Sequence, residues 1–373
     1  MKAIILVGGE GTRLRPLTCN WVKAMVPILN RPFLEHLLLW LKGYGIDEVV
    51  LALCYRPECI ADHFGDGAGL GIRLYYVQEE APLGTAGAVK NAERYLKGER
   101  FFVLNGDIFT DLDLGAMLSF HEEREGHGTI ALIPVDNPTI YGIVETDAEH
   151  RIKRFVEKPR WEEVTTNLIN AGVYILEPEV LSYMPPQQFY MFEHHLFPKL
   201  LEMGLPLYGY PFGAYWIDMG TPEKYLQLHR DLLLGNTRRG PILGQGPLLG
   251  EGSHLDPSAQ IRGPVLMGRG CTIEPQARLI GPTALGDGCH IGAGAMVEGS
   301  VLWQGVRVGA GATLRHCIIA EGSQVGSGCT IGQGAVLSDH VTVSAGLELE
   351  PGCHIWPGTR LGDEEFPLQN VDR

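Results

Sequence analysis

The chain has 373 residues, 45% of them apolar, and 30 Lys and Arg against 44 Asp and Glu leave a net charge of −14. That acidity argues against nucleic acid or an anionic membrane surface as partner, since each needs a basic field. No apolar run reaches membrane-spanning length and the N-terminus opens directly into a strand without a leader, so two domains in the cytoplasm are expected.

Ala3 to Val7 reads as a short buried parallel strand without polar interruption. It runs into Gly8, Gly9 and Gly11, a loop whose N–H groups can approach a phosphate chain with no Cβ in the way. Thr12 follows, and Arg13 and Lys23 supply mobile positive charge where a triphosphate would lie. A tight turn alone would explain the glycines but not the two cations. The loop is not a dinucleotide fingerprint, because Leu14 stands where the third glycine belongs. It is not a Walker loop either, because Gly-Thr-Arg replaces Gly-Lys-Ser/Thr.

A helix is expected over Pro32–Leu41, with Pro at an early position and a stop at Gly43. Glu48–Leu53 reads as a strand, Thr85–Leu96 as a helix, Phe101–Leu104 as a strand, and Lys224–Leu234 as a closing helix behind Thr221-Pro222. Such alternation predicts an α/β sheet over residues 1–234. A Gly- and Pro-rich linker is expected over 235–254.

From 255 to 373 the grammar changes. Apolar residues recur every six positions, from Leu255 through Ile291 to Val297, and two five-residue slips reset the phase to Leu302 and then Ile319. One apolar residue in six with glycine at the corners predicts a parallel β-helix of about six coils at ~18 residues each. Cys271, Cys289, Cys329 and Cys353 fall at the fifth place of their hexads, where Ala259, Ala295, Ala312 and Ala335 stand in others. They read as small buried fillers; no Cys-x-x-Cys pair supports zinc. The histidines of this half follow no metal spacing and are expected at the surface or corners.

Asn105-Gly106-Asp107 follows an apolar strand, and Trp216-Ile217-Asp218 places a second carboxylate after another short run. Either Asp alone reads as a solvated loop residue. Together with a polyphosphate they are what magnesium requires, since it prefers hard oxygens and keeps several waters.

The opening loop resembles the sugar-phosphate nucleotidylyltransferase family, whose motif is Gly-Gly-x-Gly-Thr-Arg-Leu-x-Pro-Leu-Thr with a downstream Lys. One departure is Val22, where the family usually has Pro before that Lys. The resemblance implies a Rossmann-like mixed sheet followed by a left-handed β-helix of hexapeptide repeats. It further implies Mg2+ on Asp107 and Asp218, with Gly8, Gly9, Gly11, Thr12, Arg13, Gly84 and Asn105 on the nucleotide. Tyr141-Gly142, Glu157-Lys158-Pro159 and Asn170-Ala171-Gly172-Val173-Tyr174 match its sugar-phosphate motifs. They imply Gly142, Glu157, Lys158, Asn170 and Tyr174 at the sugar phosphate, with Arg13, Lys23 and Lys158 acting on the reacting phosphates. In the stretch Gln78 to Gly87, Glu79 stands where thymidylyl and uridylyl members usually have Gln. A carboxylate only accepts, which suits the two adjacent donors of guanine; a shift of one residue would bring Gln78 there instead.

The activity implied is nucleotidyl transfer from a nucleoside triphosphate to a sugar 1-phosphate, guanylyl transfer to mannose 1-phosphate foremost. The alternatives are thymidylyl or uridylyl transfer to glucose 1-phosphate, a non-catalytic regulatory paralogue, and a second acyltransferase activity in the β-helix. A homo-oligomer assembled through the β-helix is also expected.

Overall fold

A computed structural model describes residues 1–241 and 247–362 and the backbone of 371–372. The chain divides into two compact units, Met1–Gly9 with Leu34–Trp216, and Glu10–Phe33 with Ile217–Arg373. Compactness therefore does not follow the expected boundary at 234. Glu10–Phe33 and Ile217–Leu234, expected with the α/β sheet, group with the hexads.

The first unit is built on nine strands: β1 (Lys2–Leu6), β2 (Glu48–Leu53), β3 (Arg73–Gln78), β4 (Phe101–Asn105), β5 (Gly128–Pro134), β6 (Gly142–Thr146), β7 (Ile152–Glu157), β8 (Leu168–Leu176) and β9 (Leu207–Pro211). Their order is β7–β6–β8–β4–β1–β2–β3, with β5 beside β8 and β9 beside β5. The pairs β4–β1, β1–β2 and β2–β3 are parallel, whereas β8 runs antiparallel to β4, β5 and β6. This is the α/β sheet that the alternation predicts, mixed as the family resemblance implies. Ala3, Ile4 and Ile5 of β1 are wholly buried, as a central strand covered on both faces requires. The chain steps from β1 outward to β2 and β3, then returns to β4 on the other side, so the order reverses between β1 and β4.

Two helices differ from expectation. Helix α1 spans Phe33–Gly43, and Pro32 stays outside it in a two-residue strand whose partner is Pro27. The expected helix 85–96 breaks into α2 (Gly84–Asn91) and α3 (Glu93–Leu96). At the break the Ala92 N–H is shared between the carbonyls of Ala88 and Val89, at 3.2 and 3.1 Å, as where an α-helix tightens into a 3-10 turn. No helix among the described residues is long and apolar enough to cross a membrane.

In the second unit, Pro222–Leu234 forms the closing helix, and Thr221 caps it by accepting the Lys224 N–H at 3.4 Å. The hexads then wind into three parallel sheets of two- and three-residue strands. Partner residues stand eighteen apart in the early coils (Val265 opposite Thr283) and seventeen apart where the hexads slip (Ala284 opposite Val301). Each slip thus removes one corner residue without disturbing the apolar column. Ile273, Leu279, Ile291, Leu314, Ile331 and Leu337 fill the interior with Cys271, Cys289, Cys329 and Cys353, as expected of fillers. His316 and His340 take corner positions with φ of +47° and +56°. The ladder starts earlier than expected: Leu248–Leu249, inside the expected linker, already pairs with Leu266–Met267. Residues 242–246 of that linker and residues 363–370 lie outside the described residues.

A column built from one side chain per hexad has no redundancy. Ile331→Ala, at a wholly buried position, should cost about 2–5 kcal/mol. Thermal or urea unfolding of the variant would show this as a clear fall in the midpoint.

Candidate active site

In the first unit the expected residues collect along one edge of the sheet. Leu6 of β1 lies opposite Asn105 of β4, so Gly8 and Asp107 follow neighbouring carboxyl ends. This is the reversal point of the strand order, where open α/β sheets bind ligands. Position 106 must be glycine: its N–H donates to the Leu6 carbonyl at 2.9 Å, and a Cβ would stand 2.5 Å from that oxygen. In β8, Val173 pairs with Leu104 and Ile169 with Ile143, which brings Asn170 to the same edge as Gly142. Gly142 in turn faces Glu157 across β6 and β7. Asn170, Gly142 and Glu157 therefore stand in a row over adjacent strands. The Oε2 of Glu157 hangs over Gly142, 2.6 Å from where a Cβ would be. Lys158 turns out of the sheet at φ +46°, its N–H on the Tyr141 carbonyl at 2.9 Å and its exposed ammonium 4.0 Å from Glu157. Beside them the Tyr141 and Trp216 rings meet edge to face at 5.6 Å, and the Trp216 indole donates to the Ala171 carbonyl at 2.9 Å.

Tyr174 requires a correction, since it is wholly buried and presents nothing to a ligand. Its hydroxyl accepts from Asn170 Nδ2 at 2.9 Å and donates to Glu193 Oε1 at 3.3 Å, while Asn170 Nδ2 also reaches Glu193 at 3.2 Å. Tyr174 thus holds Asn170 in place. Glu193 was not anticipated. It sits on a single π-helical turn, Phe192–Leu196, a feature that recurs at functional sites. Its Oε2 is buried with no hydrogen-bond partner. Burial pushes its carboxyl above the ordinary range, and the neighbouring charge of Glu157 adds to this. The signal in the sequence was a carboxylate between two apolar residues, Phe192 and Leu196, both of which are buried.

The continuation of β3 decides which of three polar residues points inward. Val77 and Glu79 are buried, while Gln78 and Glu80 are exposed. Glu79 Oε2 accepts the Leu83 N–H at 2.8 Å, and Oε1 lies 3.7 Å from the place of a Cβ on Gly8. Burial raises its carboxyl above the ordinary range, against the bond from Leu83. Gly84 follows at the start of α2.

The second unit carries the remaining residues. Gly11 adopts φ +66° ahead of a single 3-10 turn, Thr12–Leu14, and accepts the Thr18 hydroxyl at 2.7 Å on its carbonyl. A Cβ on Gly11 would lie 3.1 Å from Lys23 Cβ, so the loop closes directly on that lysine. The exposed Arg13 guanidinium packs against Gly220, 3.2 Å from where a Cβ would be, and the same point lies 3.0 Å from Asp218 Oδ2. Asp218 is buried and pairs through Oδ1 with Lys224, a partner no motif indicated. Val22 is buried with φ −69°, an angle that proline also adopts, so the departure from the motif leaves the backbone in a proline-compatible form.

Residues 2–234 match the Nucleotidyl transferase family, and residues 248–349 match the EIF2B subunit epsilon LbH domain. The chain belongs to the nucleotidyl transferase family. It is 41% identical over 236 residues to a mannose-1-phosphate guanylyltransferase of Mycobacterium tuberculosis, covering 63% of this chain and 65% of that one. It is 39% identical to mannose-1-phosphate guanyltransferase 2 of Candida glabrata, over 70% of this chain and 73% of that one. A UTP–glucose-1-phosphate uridylyltransferase of Synechocystis is 37% identical over 65% of this chain and 66% of that one. The chain therefore spans about two thirds of the length of these curated relatives. Among solved structures, HddC of Yersinia pseudotuberculosis, complexed with GMP-PN, matches with a TM-score of 0.53 and 31% identity over 61% of this chain and 97% of that one. The three-sheet coil is thus a left-handed β-helix, as the resemblance implies.

Asp107 and Asp218 are hard oxygen donors of the kind magnesium prefers. No group of three or more His, Cys, Asp or Glu among the described residues could hold a metal ion. Magnesium takes one or two carboxylates and completes its shell with phosphate and water. Asp107 after β4 and Asp218 before Gly220 are carboxylates of that kind, one in each unit.

The Glu193 carboxyl provides a test of the sugar-side geometry. A group whose folded-state pKa is raised binds a proton that the unfolded chain has released, so its contribution to stability falls as pH rises toward the raised value. Glu193→Gln keeps an acceptor for Asn170 and Tyr174 and removes the charge. Its melting temperature should exceed that of the wild type increasingly as pH rises from 4 to 8, measured by paired thermal scans; equal curves would show that the charge is not buried in solution.

Proposed function

We propose that the protein transfers a nucleotidyl group from a nucleoside triphosphate to a sugar 1-phosphate, giving a nucleotide sugar and pyrophosphate, with GTP and mannose 1-phosphate as the pair. A phosphate oxygen of the sugar 1-phosphate attacks the α-phosphorus in line, the Pα–O–Pβ bond breaks, and pyrophosphate carries away the electron pair. No covalent nucleophile is needed, because the work is alignment of two anions and neutralisation of charge as it develops. The amides of the Gly8–Gly11 loop and Arg13 hold the β- and γ-phosphates. Lys23 acts on the α-phosphate, and Lys158 holds the sugar phosphate. Glu157 and Asn170 accept from and donate to sugar hydroxyls. Magnesium, bound by Asp107 and Asp218, would neutralise the polyphosphate and the departing pyrophosphate.

The inward turn of Glu79 beside Gly8 carries the choice of base. Gln78, its rival for an amide-reading site, faces solvent. The guanylyl names of two relatives and the GMP-PN bound to HddC support the same base. The Synechocystis relative favours a second reading, uridylyl transfer to glucose 1-phosphate on the same scaffold.

A pyrophosphate-release panel of four nucleoside triphosphates against glucose, mannose and galactose 1-phosphates separates the two. GTP with mannose 1-phosphate should give the highest kcat/KM. Charge-assisted bonds contribute roughly 1.5–3 kcal/mol, so Glu79→Gln should lower the preference for GTP over UTP about ten- to a hundredfold, whereas Glu80→Gln should leave it. A wild-type preference for UTP or dTTP would overturn the base assignment and leave the reaction class standing.

Roles in the transition state predict a distinct kinetic pattern. Asp107→Asn should abolish turnover at near-wild-type melting temperature, and Lys23→Ala should lower kcat more than it raises KM. An active Asp107→Asn enzyme would remove that carboxylate from the chemistry.

A further inference from the structure

The second unit holds the signature segment Glu10–Phe33 and the β-helix together. They meet at points spread along one sheet of the helix. Asn30 Nδ2 donates to the Leu285 carbonyl at 2.8 Å. Trp303 Nε1 donates at 2.8 Å to the hydroxyl of Tyr225, which in turn donates to the Pro27 carbonyl at 2.7 Å. The Trp21 and Trp303 rings pack edge to face at 5.3 Å. One coil beyond Ile319, Ser338 Oγ donates to the Pro16 carbonyl at 2.8 Å. Next to it the two oxygens of Asp339 accept separately, Oδ2 from Asn20 Nδ2 at 3.3 Å and Oδ1 from Trp21 Nε1 at 3.2 Å.

Asp339 is unusual for its place in the repeat. Two residues after the buried apolar residue of this sheet, the other coils place Asp287, Gln304 and Glu321 at corners that remain at least partly in solvent. Asp339 is only 3% exposed. Burying a carboxylate is costly unless it is hydrogen-bonded, and its donors Asn20 and Trp21 both come from the signature segment. Burial holds its carboxyl above the ordinary range, while the Asn20 and Trp21 donors pull it down and Glu321 pushes it up.

These donors lie between the two cations, Arg13 and Lys23, in the chain. Trp21 is two residues from Lys23; Lys23 backs onto Gly11; Thr18 ties back to the Gly11 carbonyl. We propose that Asp339 of the β-helix is a positioning residue for the phosphate-handling loop, setting the placement of Lys23 and Arg13 through Asn20 and Trp21. This rests on the reading that those two cations act on the reacting phosphates. The β-helix is then a part of the catalytic apparatus, and its coil at 337–339 is a point through which binding elsewhere on the helix would alter turnover.

Asp339→Asn leaves one acceptor oxygen and turns an amide N–H toward one of two donors. With the best substrate pair of the panel, kcat should fall tenfold or more while KM for the nucleotide changes less than threefold. Hydrogen exchange over residues 12–25 should accelerate, with the β-helix peptides unchanged. The exchange variant Asn20→Asp/Asp339→Asn restores the match, because the amide at 339 then donates to the carboxylate at 20 and still accepts from Trp21. It should recover at least fivefold of the lost kcat and return exchange to the wild-type rate. Trp21→Phe, which removes one donor and keeps an aromatic ring, should fall between wild type and Asp339→Asn.

If folded Asp339→Asn keeps wild-type kcat and exchange while Lys23→Ala loses turnover, the positioning role is overturned and the proposed chemistry stands. If Lys23→Ala keeps turnover, both fall together. A double variant no better than Asp339→Asn would reduce the contact to a structural one and overturn the proposal.

Discussion

Gly106 donates its N–H to the Leu6 carbonyl at 2.9 Å, and the backbones pass so closely that any Cβ at 106 would meet that oxygen at 2.5 Å. The contact locks the carboxyl ends of β1 and β4 together at the point where the strand order reverses. Three candidate ligand residues, Gly8, Asn105 and Asp107, lie within two positions of it. The neighbouring antiparallel strand obeys the same restriction, since a Cβ on Gly172 would stand 2.6 Å from the Asn105 amide. Side-chain-free backbone at both places lets a parallel pair and an antiparallel strand share one edge. The sugar-side row Asn170, Gly142 and Glu157 extends from that edge through register alone.

The parts of this architecture that were legible in the sequence are those governed by local period or local backbone demand. Ala3–Val7 followed by three glycines reads as a buried strand ending in a loop, and Ala3, Ile4 and Ile5 are wholly buried. The hexads are legible because every sixth side chain meets the same interior, and even the two slips appear in the structure as seventeen-residue coils. Leu248–Leu249 escaped notice because two exposed leucines at the first coil carry no interior signal. The break at Ala92 escaped because alanine favours helix and a shared hydrogen bond leaves no trace in composition.

What period cannot report is pairing over long separations. The bonds of Asp339 to Asn20 and Trp21 join residues 319 and 318 apart. Tyr174 reads as a ligand residue from its motif, yet the fold buries it behind Asn170, against Phe192 and Phe197. Glu193 and Lys224 were invisible for a related reason. A lone charge in an amphipathic stretch is ordinarily a solvated one, and only the fold shows which of them is turned inward.

Three carboxyls with raised proton affinity, Glu79, Glu193 and Asp339, share a logic. Each is removed from water yet faces hydrogen-bond donors of its own chain: Leu83 N–H for the first, Asn170 and Tyr174 for the second, Asn20 and Trp21 for the third. A buried acceptor of this kind fixes the direction of its donors more strictly than a surface ion pair does, because a misdirected donor leaves an uncompensated charge. In a chain of net charge −14, such anchors place side chains without adding charge at the surface.

The β-helix suits the same purpose because it is stiff along its axis. Each coil touches only its neighbours, and adjacent strands keep a spacing of roughly 4.8 Å. Leu285 and Leu337 are three strands apart in one sheet, so the anchors for Asn30 and for Pro16, Asn20 and Trp21 are separated by a distance on the order of 14 Å that the coil cannot easily change. A flexible loop of some fifteen residues would lose appreciable conformational entropy on being ordered for catalysis. Held at both ends and at Pro27 between them, the segment has met that cost during folding. The hexapeptide half of the chain thus holds the segment Pro16–Asn30 at several fixed points within the second unit.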